Sequence, residues 1–256
     1  MFPFLRSSTT RLKDSPFPAA WLNLLERGVP LYRCLSPADQ EELRRHTLMF
    51  LAEKRFEGCN GLDMSDEVRV TIAAQACLLL LHRHVGCFPA VSSIVVYPDE
   101  YIAPWQETDE SGIVVEGEEC RSGEYVADGA LVLSWQDVLM AGGDGKGAYN
   151  VIIHEFAHLI DDESGISAGR ADGELGQALE RGFHQLQHAA AHCRTTLFDP
   201  YGASSRAEFF AVVTECLFEA PRQFRQQHPD LYAAMSRFYR QDPAAWPGWD
   251  ALYERR

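Results

Sequence analysis

His154, Glu155 and His158 have the residue types and the spacing of a metal-dependent hydrolytic motif. In a helix, residues four apart project from one face about one turn apart, so both imidazoles can reach the same ion. Two neutral imidazoles are typical zinc ligands, and a glutamate in this pattern is typical of the base that takes a proton from water on the metal. The pattern therefore predicts zinc (Zn²⁺) bound by the two histidines, with Glu155 as the general base.

The residues around this motif indicate a buried helix. Apolar side chains would pack the motif beside the core, where an unpaired histidine pair is costly; they are Val151, Ile152, Ile153, Phe156, Leu159 and Ile160. The alternative interpretation is two ordinary histidines that bind no metal. The apolar flanks favour the metal site.

A catalytic zinc site needs a third protein ligand and an open position for water. A third histidine six residues after the motif, preceded by glycine, is excluded because Asp161 and Ser164 occupy those positions. A later glutamate is the remaining usual choice. None of Glu174, Glu208 and Glu215 is followed four residues later by the aspartate that a thermolysin-like ligand would have.

Glu208 also has a plainer interpretation. Ser205 and Glu208 have the spacing of a capping box, in which the glutamate reaches back to the first backbone N–H of a helix. The residues alone leave the ligand and the cap equally open. Glu215, two turns further along the same helix, can support the site or lie on a plain helix face.

Asp161 is predicted to support one of the histidine ligands. It lies seven residues after His154 and three after His158, and so shares their helix face. It also lies at the C-terminal end of the helix, where the partial negative charge disfavours acids. A carboxylate that accepts a ring N–H and fixes the tautomer explains its presence there. The alternative is a solvated acidic helix end.

Two further features lie outside the motif. His184, His188 and His192 recur at helical spacing without an accompanying glutamate in the motif order, which favours a solvated helix face over a second metal site. The glycine-rich segment 142–147 leads to no phosphate-binding pattern and is predicted to be a mobile loop beside the site.

Hydrophobic periodicity and turn residues predict the elements that must hold these residues in place. Helices are expected at 37–54, 65–84, 149–163, 174–193, 206–218 and 229–239. Short strands are expected at 93–97, 112–115 and 130–135, and the last of these is a candidate edge strand for an extended peptide.

These elements predict an α+β fold that is mostly helical, with a small β-sheet beside the active-site helix. Without a repeat or a clear linker, residues 1–256 are expected to form a single domain. Within it, residues 1–90 would form an N-terminal helical layer and residues 91–256 the catalytic core.

Composition restricts the partners. The 37 acidic and 23 basic residues give a net charge of −14, so nucleic acid and anionic membrane surfaces are not expected as direct partners. The longest nearly apolar stretch, 71–81, contains Gln75 and is too short to span a bilayer. The seven scattered cysteines form no Cys-x-x-Cys pair, which is typical of a reducing compartment and predicts a cytoplasmic protein.

The sequence resembles the Mlc titration factor A family of bacterial zinc peptidases, and it is similar to the catalytic domain of anthrax lethal factor. The resemblance depends on HEFAH at 154–158, Tyr-Gly at 201–202 and AEFFA at 207–211, with LVLSW at 131–135 and NVII at 150–153. It extends from about Ile94 to the C-terminus. It implies a zincin-like metallopeptidase fold, Glu208 as the third zinc ligand and Tyr201 as a catalytic tyrosine facing the metal.

The same resemblance implies two kinds of function. One is hydrolysis of a peptide or protein substrate, in which zinc and Tyr201 stabilise the oxyanion. The other is regulatory, because members of this family bind Mlc, the repressor of glucose-transport genes, and titrate it away from DNA. Both can belong to one chain, and the second would act through protein contacts.

Overall fold

The computed structural model describes residues 16–83, 86–108, 114–126, 129–140, 149–171 and 173–249. The helices are α1 (Ala19–Gly28), α2 (Pro37–Glu53), α3 (Asp66–Leu78), α4 (Trp135–Met140), α5 (Val151–Ser164), α6 (Gly173–Ala191), α7 (Arg206–Glu219), α8 (Pro221–Gln227) and α9 (Pro229–Tyr239). The strands are β1 (Arg55–Gly58), β2 (Ser93–Tyr97), β3 (Tyr101–Thr108), β4 (Val114–Arg121), β5 (Gly123–Val126) and β6 (Ala130–Ser134). The protein is mostly helical with a small mixed sheet, as the sequence predicts.

The main sheet has four strands in the order β1-β2-β6-β5. The first three are parallel, with Phe56 opposite Ile94 and Ile94 opposite Leu131, whereas β5 runs antiparallel to β6. Strands β3 and β4 form a separate antiparallel pair. The prediction that 130–135 is an edge strand is therefore wrong, since β6 lies inside the sheet and β5 forms its edge.

Helix α5 is packed between this sheet and the other helices. Its apolar side chains are buried, and Phe156 meets Phe88 at a ring-centroid distance of 4.5 Å and Phe50 at 5.7 Å. Helix α3, which precedes α5 in the chain, and helix α7, which follows it, both pack on α5. Residues of both the N-terminal and the C-terminal parts of the chain therefore fix the position of α5.

Local signals explain where the helices begin and end. Ser36, Ser65 and Ser205 each accept a backbone N–H at the start of a helix, as N-cap residues do. Asn150 does the same for α5, at 3.1 Å from the N–H of Ile153. Gly165 ends α5 with φ 66°, the left-handed conformation that glycine adopts readily.

Several predicted elements have nearly the bounds that the structure shows. Strand β2 and helix α9 have the predicted bounds, and the other predicted helices in the second half of the chain differ by two residues or fewer at each end. The helix predicted to reach residue 84 ends at Leu78, and residue 84 lies outside the described residues. The strand predicted at 112–115 is described only from Val114, where β4 begins.

Three strands and three helices carried too weak a local pattern to be predicted: β1, β3, β5, α1, α4 and α8. Because β1 pairs with β2, the N-terminal 90 residues contribute a strand as well as a helical layer. The predicted loop at 142–147 lies outside the described residues. No helix in the described part of the chain is long and apolar enough to cross a membrane.

Candidate functional site

Helix α5 presents His154 and His158 on one face, as their spacing predicts. Their rings are 4.8 Å apart between centroids, and the two Nε2 atoms are 3.1 Å apart. The opposite face of the helix is buried in the core. The imidazoles therefore point together into a cleft while the rest of the helix is held by packing.

Glu208 in the first turn of α7 completes this group. Its Oε2 lies 3.0 Å from Nε2 of His154 and 3.4 Å from Nε2 of His158. In a tetrahedral zinc site with bonds of about 2.0–2.1 Å, neighbouring ligand atoms are about 3.3 Å apart. The three side chains are therefore spaced as ligands of one metal ion, with their ligand atoms all within 4.8 Å of one another.

Half of the predicted capping box is present at the start of α7. The Glu208 N–H donates to Oγ of Ser205 at 3.1 Å, so the serine caps the helix. The Glu208 carboxylate turns instead toward the two imidazoles. The cap thus fixes the first turn of α7 and leaves the carboxylate available to a metal.

Glu215 supports His154 from behind. Its Oε1 lies 2.7 Å from Nδ1 of His154, and its Oε2 accepts the backbone N–H of Asn150 at 2.6 Å. A carboxylate that accepts the Nδ1 proton leaves Nε2 free to bind a metal and holds the ring in orientation. Of the two interpretations that the sequence leaves open for Glu215, the structure agrees with support of the site.

Asp161 does not have the predicted contact. Its Oδ1 accepts the backbone N–H of Ser167 at 2.7 Å, just beyond the end of α5. Among the described residues it forms no hydrogen bond to either imidazole, and Glu215 makes the contact that the sequence assigned to it. Asp161 is buried and holds the turn after Gly165, so the prediction that it supports a histidine ligand is corrected.

Electrostatics of the group favour a cation between the carboxylates. Burial opposes the charged form of His154, but hydrogen bonds with Glu208 and Glu215 outweigh it and raise its pKa to about 10. Burial also opposes ionisation of Glu208, yet hydrogen bonds from His154 and His158 lower its pKa to about 2. Without a metal, a proton on His154 supplies the positive charge that the two carboxylates require.

Glu155 lies beside this group and is itself buried, with 8% of its surface exposed. Burial raises the pKa of its carboxyl group, and the two histidines oppose that increase. Gly123 at the start of β5 packs directly against it: a Cβ added there would lie 2.6 Å from Oε1 of Glu155. Because Gly123 has no side chain, there is room for the Glu155 carboxylate beside β5.

These residues line an open cleft of about 900 Å³. Tyr201 stands at its wall with 58% of its surface exposed, and its ring centroid lies 6.3 Å from that of His154. Strand β5 contributes Gly123 and Tyr125 to the lining of the cleft. The structure thus brings His154, Glu155, His158, Glu208 and Tyr201 together in one cleft.

A buried polar network below the cleft was not predicted. The side-chain amide of Asn150 donates to Oε1 of Gln75 and to Oε1 of Glu219, both at 2.8 Å. Asn150 and Gln75 are almost completely buried. The signals in the sequence were a lone glutamine in the apolar stretch 71–81 and an N-capping asparagine.

The other described histidines lie outside this group. His184 and His188 are exposed on α6 and His192 is exposed just beyond its end, and His184 pairs with Glu180, which agrees with a solvated helix face. In a second acidic group, the two ring nitrogens of His82 face different carboxylates, those of Asp39 and Glu42. That arrangement joins the turn after α3 to α2, and the three residues also offer ligand atoms within 4.8 Å of one another.

Comparison with known proteins identifies the family. The family model described as glucose-regulated metallo-peptidase M90 matches residues 4–240. Protein slr2042 of Synechocystis sp. is 36% identical over 91% of this chain and 88% of its own. Mlc titration factor A of Pectobacterium atrosepticum is 31% identical over 85% of both chains, and that of Edwardsiella ictaluri is 32% identical over 84% of this chain and 85% of its own. The chain therefore belongs to the glucose-regulated metallo-peptidase M90 family.

Proposed function

We propose that this metallopeptidase-family protein hydrolyses peptide bonds with a zinc ion held by His154, His158 and Glu208. The observation that carries the proposal is the convergence of their ligand atoms within 4.8 Å at an open cleft. Two imidazoles and one carboxylate, with one side open to solvent, are the ligand set of a catalytic zinc rather than a structural one. When bound, zinc acts as a Lewis acid that polarises the scissile carbonyl and lowers the pKa of water.

Glu155 is proposed as the general base and later the general acid. Its carboxylate accepts a proton from the attacking water as the hydroxide oxygen bonds to the carbonyl carbon. It then delivers that proton to the amide nitrogen as the carbon–nitrogen bond breaks. Burial raises the pKa of Glu155, which strengthens it as a base and makes the proton available for the second step.

Tyr201 and β5 are proposed to hold the substrate. The exposed Tyr201 ring lies in the cleft near His154, where its hydroxyl can donate a hydrogen bond to the developing oxyanion. In the described sheet β5 pairs on one side only, with β6. An extended peptide can add to its other side through backbone hydrogen bonds, which replaces the role first expected of residues 130–135.

The proposal is tested by cleavage of a peptide library before and after removal of the metal. A chelator should abolish cleavage, and stoichiometric zinc should restore it. Glu208→Ala should lower zinc occupancy without unfolding the protein, whereas the matched surface variant Glu26→Ala should retain both zinc and cleavage. Cleavage that continues in metal-free protein would contradict the proposal.

A second function is favoured by the names of the relatives. Several relatives with about 30% identity are named Mlc titration factor A. We propose that this protein also binds a repressor like Mlc in the cytoplasm, through protein contacts and not through DNA, since its net charge is −14. Glu155→Gln protein should still bind the repressor, because the proton-transfer residue is not part of the proposed contact. In a gel shift, the protein alone should not retard operator DNA.

A further inference from the structure

The acidic residues of the cleft extend beyond the metal group. Three more carboxylates line the cleft besides Glu155, Glu208 and Glu215, and they are Glu124, Asp162 and Asp199. Among the described residues that line it, none is lysine or arginine. A divalent metal offsets the charges of Glu208 and Glu215, but Asp162 and Asp199 face no lysine or arginine side chain among the described residues that line the cleft.

Asp162 lies on the wall formed by α5. It follows His158 by four residues and is therefore one turn further along the same helix face, about 6 Å along the axis. It is exposed, whereas the preceding Asp161 is buried and bonded to the backbone of Ser167. The Asp162 carboxylate is therefore available to a substrate that is bound in the cleft near His158.

Asp199 also lines the cleft, next to Tyr201. Its Oδ1 accepts the Tyr201 N–H at 2.8 Å, which fixes the carboxylate beside the tyrosine. The Tyr201 ring centroid lies 6.3 Å from that of His154, so Asp199 lines the cleft close to the metal group. The cleft thus has two aspartates near the proposed metal ligands, one on the helix of His158 and one beside Tyr201.

We infer that the cleft selects peptide segments that carry positive charge beside the scissile bond and that Asp162 and Asp199 provide this selectivity. The inference rests on the proposed peptidase function and names its substrate class. The matching groups are lysine and arginine side chains, whose cations can pair with the two aspartates. Acidic segments are repelled by the same field.

The test uses the zinc-loaded protein and matched peptides that differ only by lysine, glutamine or glutamate at each position flanking the cleaved bond. The rate constant kcat/KM should decrease from lysine to glutamine to glutamate, by about tenfold in total. The difference should shrink as salt is added, because surface charges are screened. Peptides with free and acetylated N-termini separate recognition of the α-amine from recognition of side chains.

Asp162→Asn combined with Asp199→Asn should reduce the lysine preference to within about threefold. Asparagine keeps the oxygen that accepts the Tyr201 N–H, so the change removes charge and leaves the turn in place. The control pair Asp63→Asn and Asp230→Asn removes two exposed charges outside the cleft and should leave the preference unchanged. Equal rates for lysine and glutamate peptides, or an unchanged preference in the cleft variant, would overturn the inference.

Failure of catalysis can be distinguished from failure of selectivity. If no peptide is cleaved, the peptidase proposal is wrong, and the selectivity is tested by binding instead. Labelled lysine and glutamate peptides are titrated onto zinc-loaded Glu155→Gln protein with fluorescence anisotropy as the readout. The lysine peptide should bind about tenfold more tightly, and equal affinities would contradict the inference.

Discussion

Oε1 of Glu215 lies 2.7 Å from Nδ1 of His154, so a residue of α7 determines which nitrogen of a histidine on α5 faces the cleft. Oε2 of the same carboxylate accepts the N–H of Asn150, which caps α5. One side chain therefore couples the orientation of a proposed ligand to the start of its helix. Glu208 comes from the same α7, two turns earlier, and the packing of α5 on α7 assembles the whole group.

Glu215→Gln is expected to weaken zinc binding about 10- to 100-fold, because the amide no longer offers two acceptor oxygens to His154 and Asn150. Competition with a fluorescent chelator measures the affinity. The exposed variant Glu174→Gln serves as the control. A Glu215→Gln protein with the affinity of the natural sequence would mean that the tautomer of His154 is set elsewhere.

Gly123→Ala is expected to lower peptidase activity about 100-fold while zinc stays bound. A Cβ at this position would lie 2.6 Å from Oε1 of Glu155 and would displace the carboxylate, and small displacements of a catalytic group have effects of this size. Gly86→Ala is the matched control, since the nearest atom to its added Cβ is 4.0 Å away. Activity and metal content are measured on the same preparations. Undiminished activity would show that Glu155 has room to move.

Gln75→Met is expected to reduce the free energy of unfolding by about 1–2 kcal/mol, because the buried Asn150 amide loses one of its two acceptors. Urea unfolding of the metal-free protein measures this. Thr71→Val on the same helix is the control, because the Thr71 hydroxyl is buried with no hydrogen-bond partner in the described structure. That variant should be as stable as the natural protein or more so. Equal stability of Gln75→Met would mean that Glu219 alone satisfies Asn150.

Zinc binding is expected to release a proton and to strengthen with pH. Hydrogen bonds with Glu208 and Glu215 overcome the effect of burial and raise the pKa of His154 to about 10, so the metal-free ring is charged at neutral pH. Because a metal binds only the unprotonated nitrogen, apparent affinity should rise about tenfold per pH unit from about pH 7 to 9 and level off above the pKa. Calorimetry in buffers of different ionisation enthalpy counts the protons. A heat independent of buffer would contradict this.

The features that were predicted correctly from the sequence are those that a local pattern of residues determines. The spacing of His154, Glu155 and His158, the apolar side chains between them and the N-capping Asn150 all act within one helix, and α5 has nearly the predicted bounds. The family resemblance pointed to Glu208 and Tyr201, which lie far along the chain. Both are found in the same cleft as the histidines.

The errors concern contacts between distant segments. Asp161 and Glu215 both have acidic side chains at helical spacing from the site, and only the packing of α7 on α5 brings Glu215, and not Asp161, to His154. Strand β5 has four residues and little β-branched character, so no local pattern marked it as the strand beyond β6. Hydrophobic periodicity predicts where strands lie in the sequence, but it does not predict which strands pair in the sheet.

The most direct test of the account is Glu155→Gln, which keeps the shape of the side chain and removes its ability to accept a proton. Zinc content, measured by elemental analysis, and peptide cleavage are determined on the same sample. Zinc is expected to stay bound while cleavage falls by a factor on the order of 10² to 10⁴. Retained zinc with undiminished cleavage would contradict the central claim that Glu155 transfers the proton.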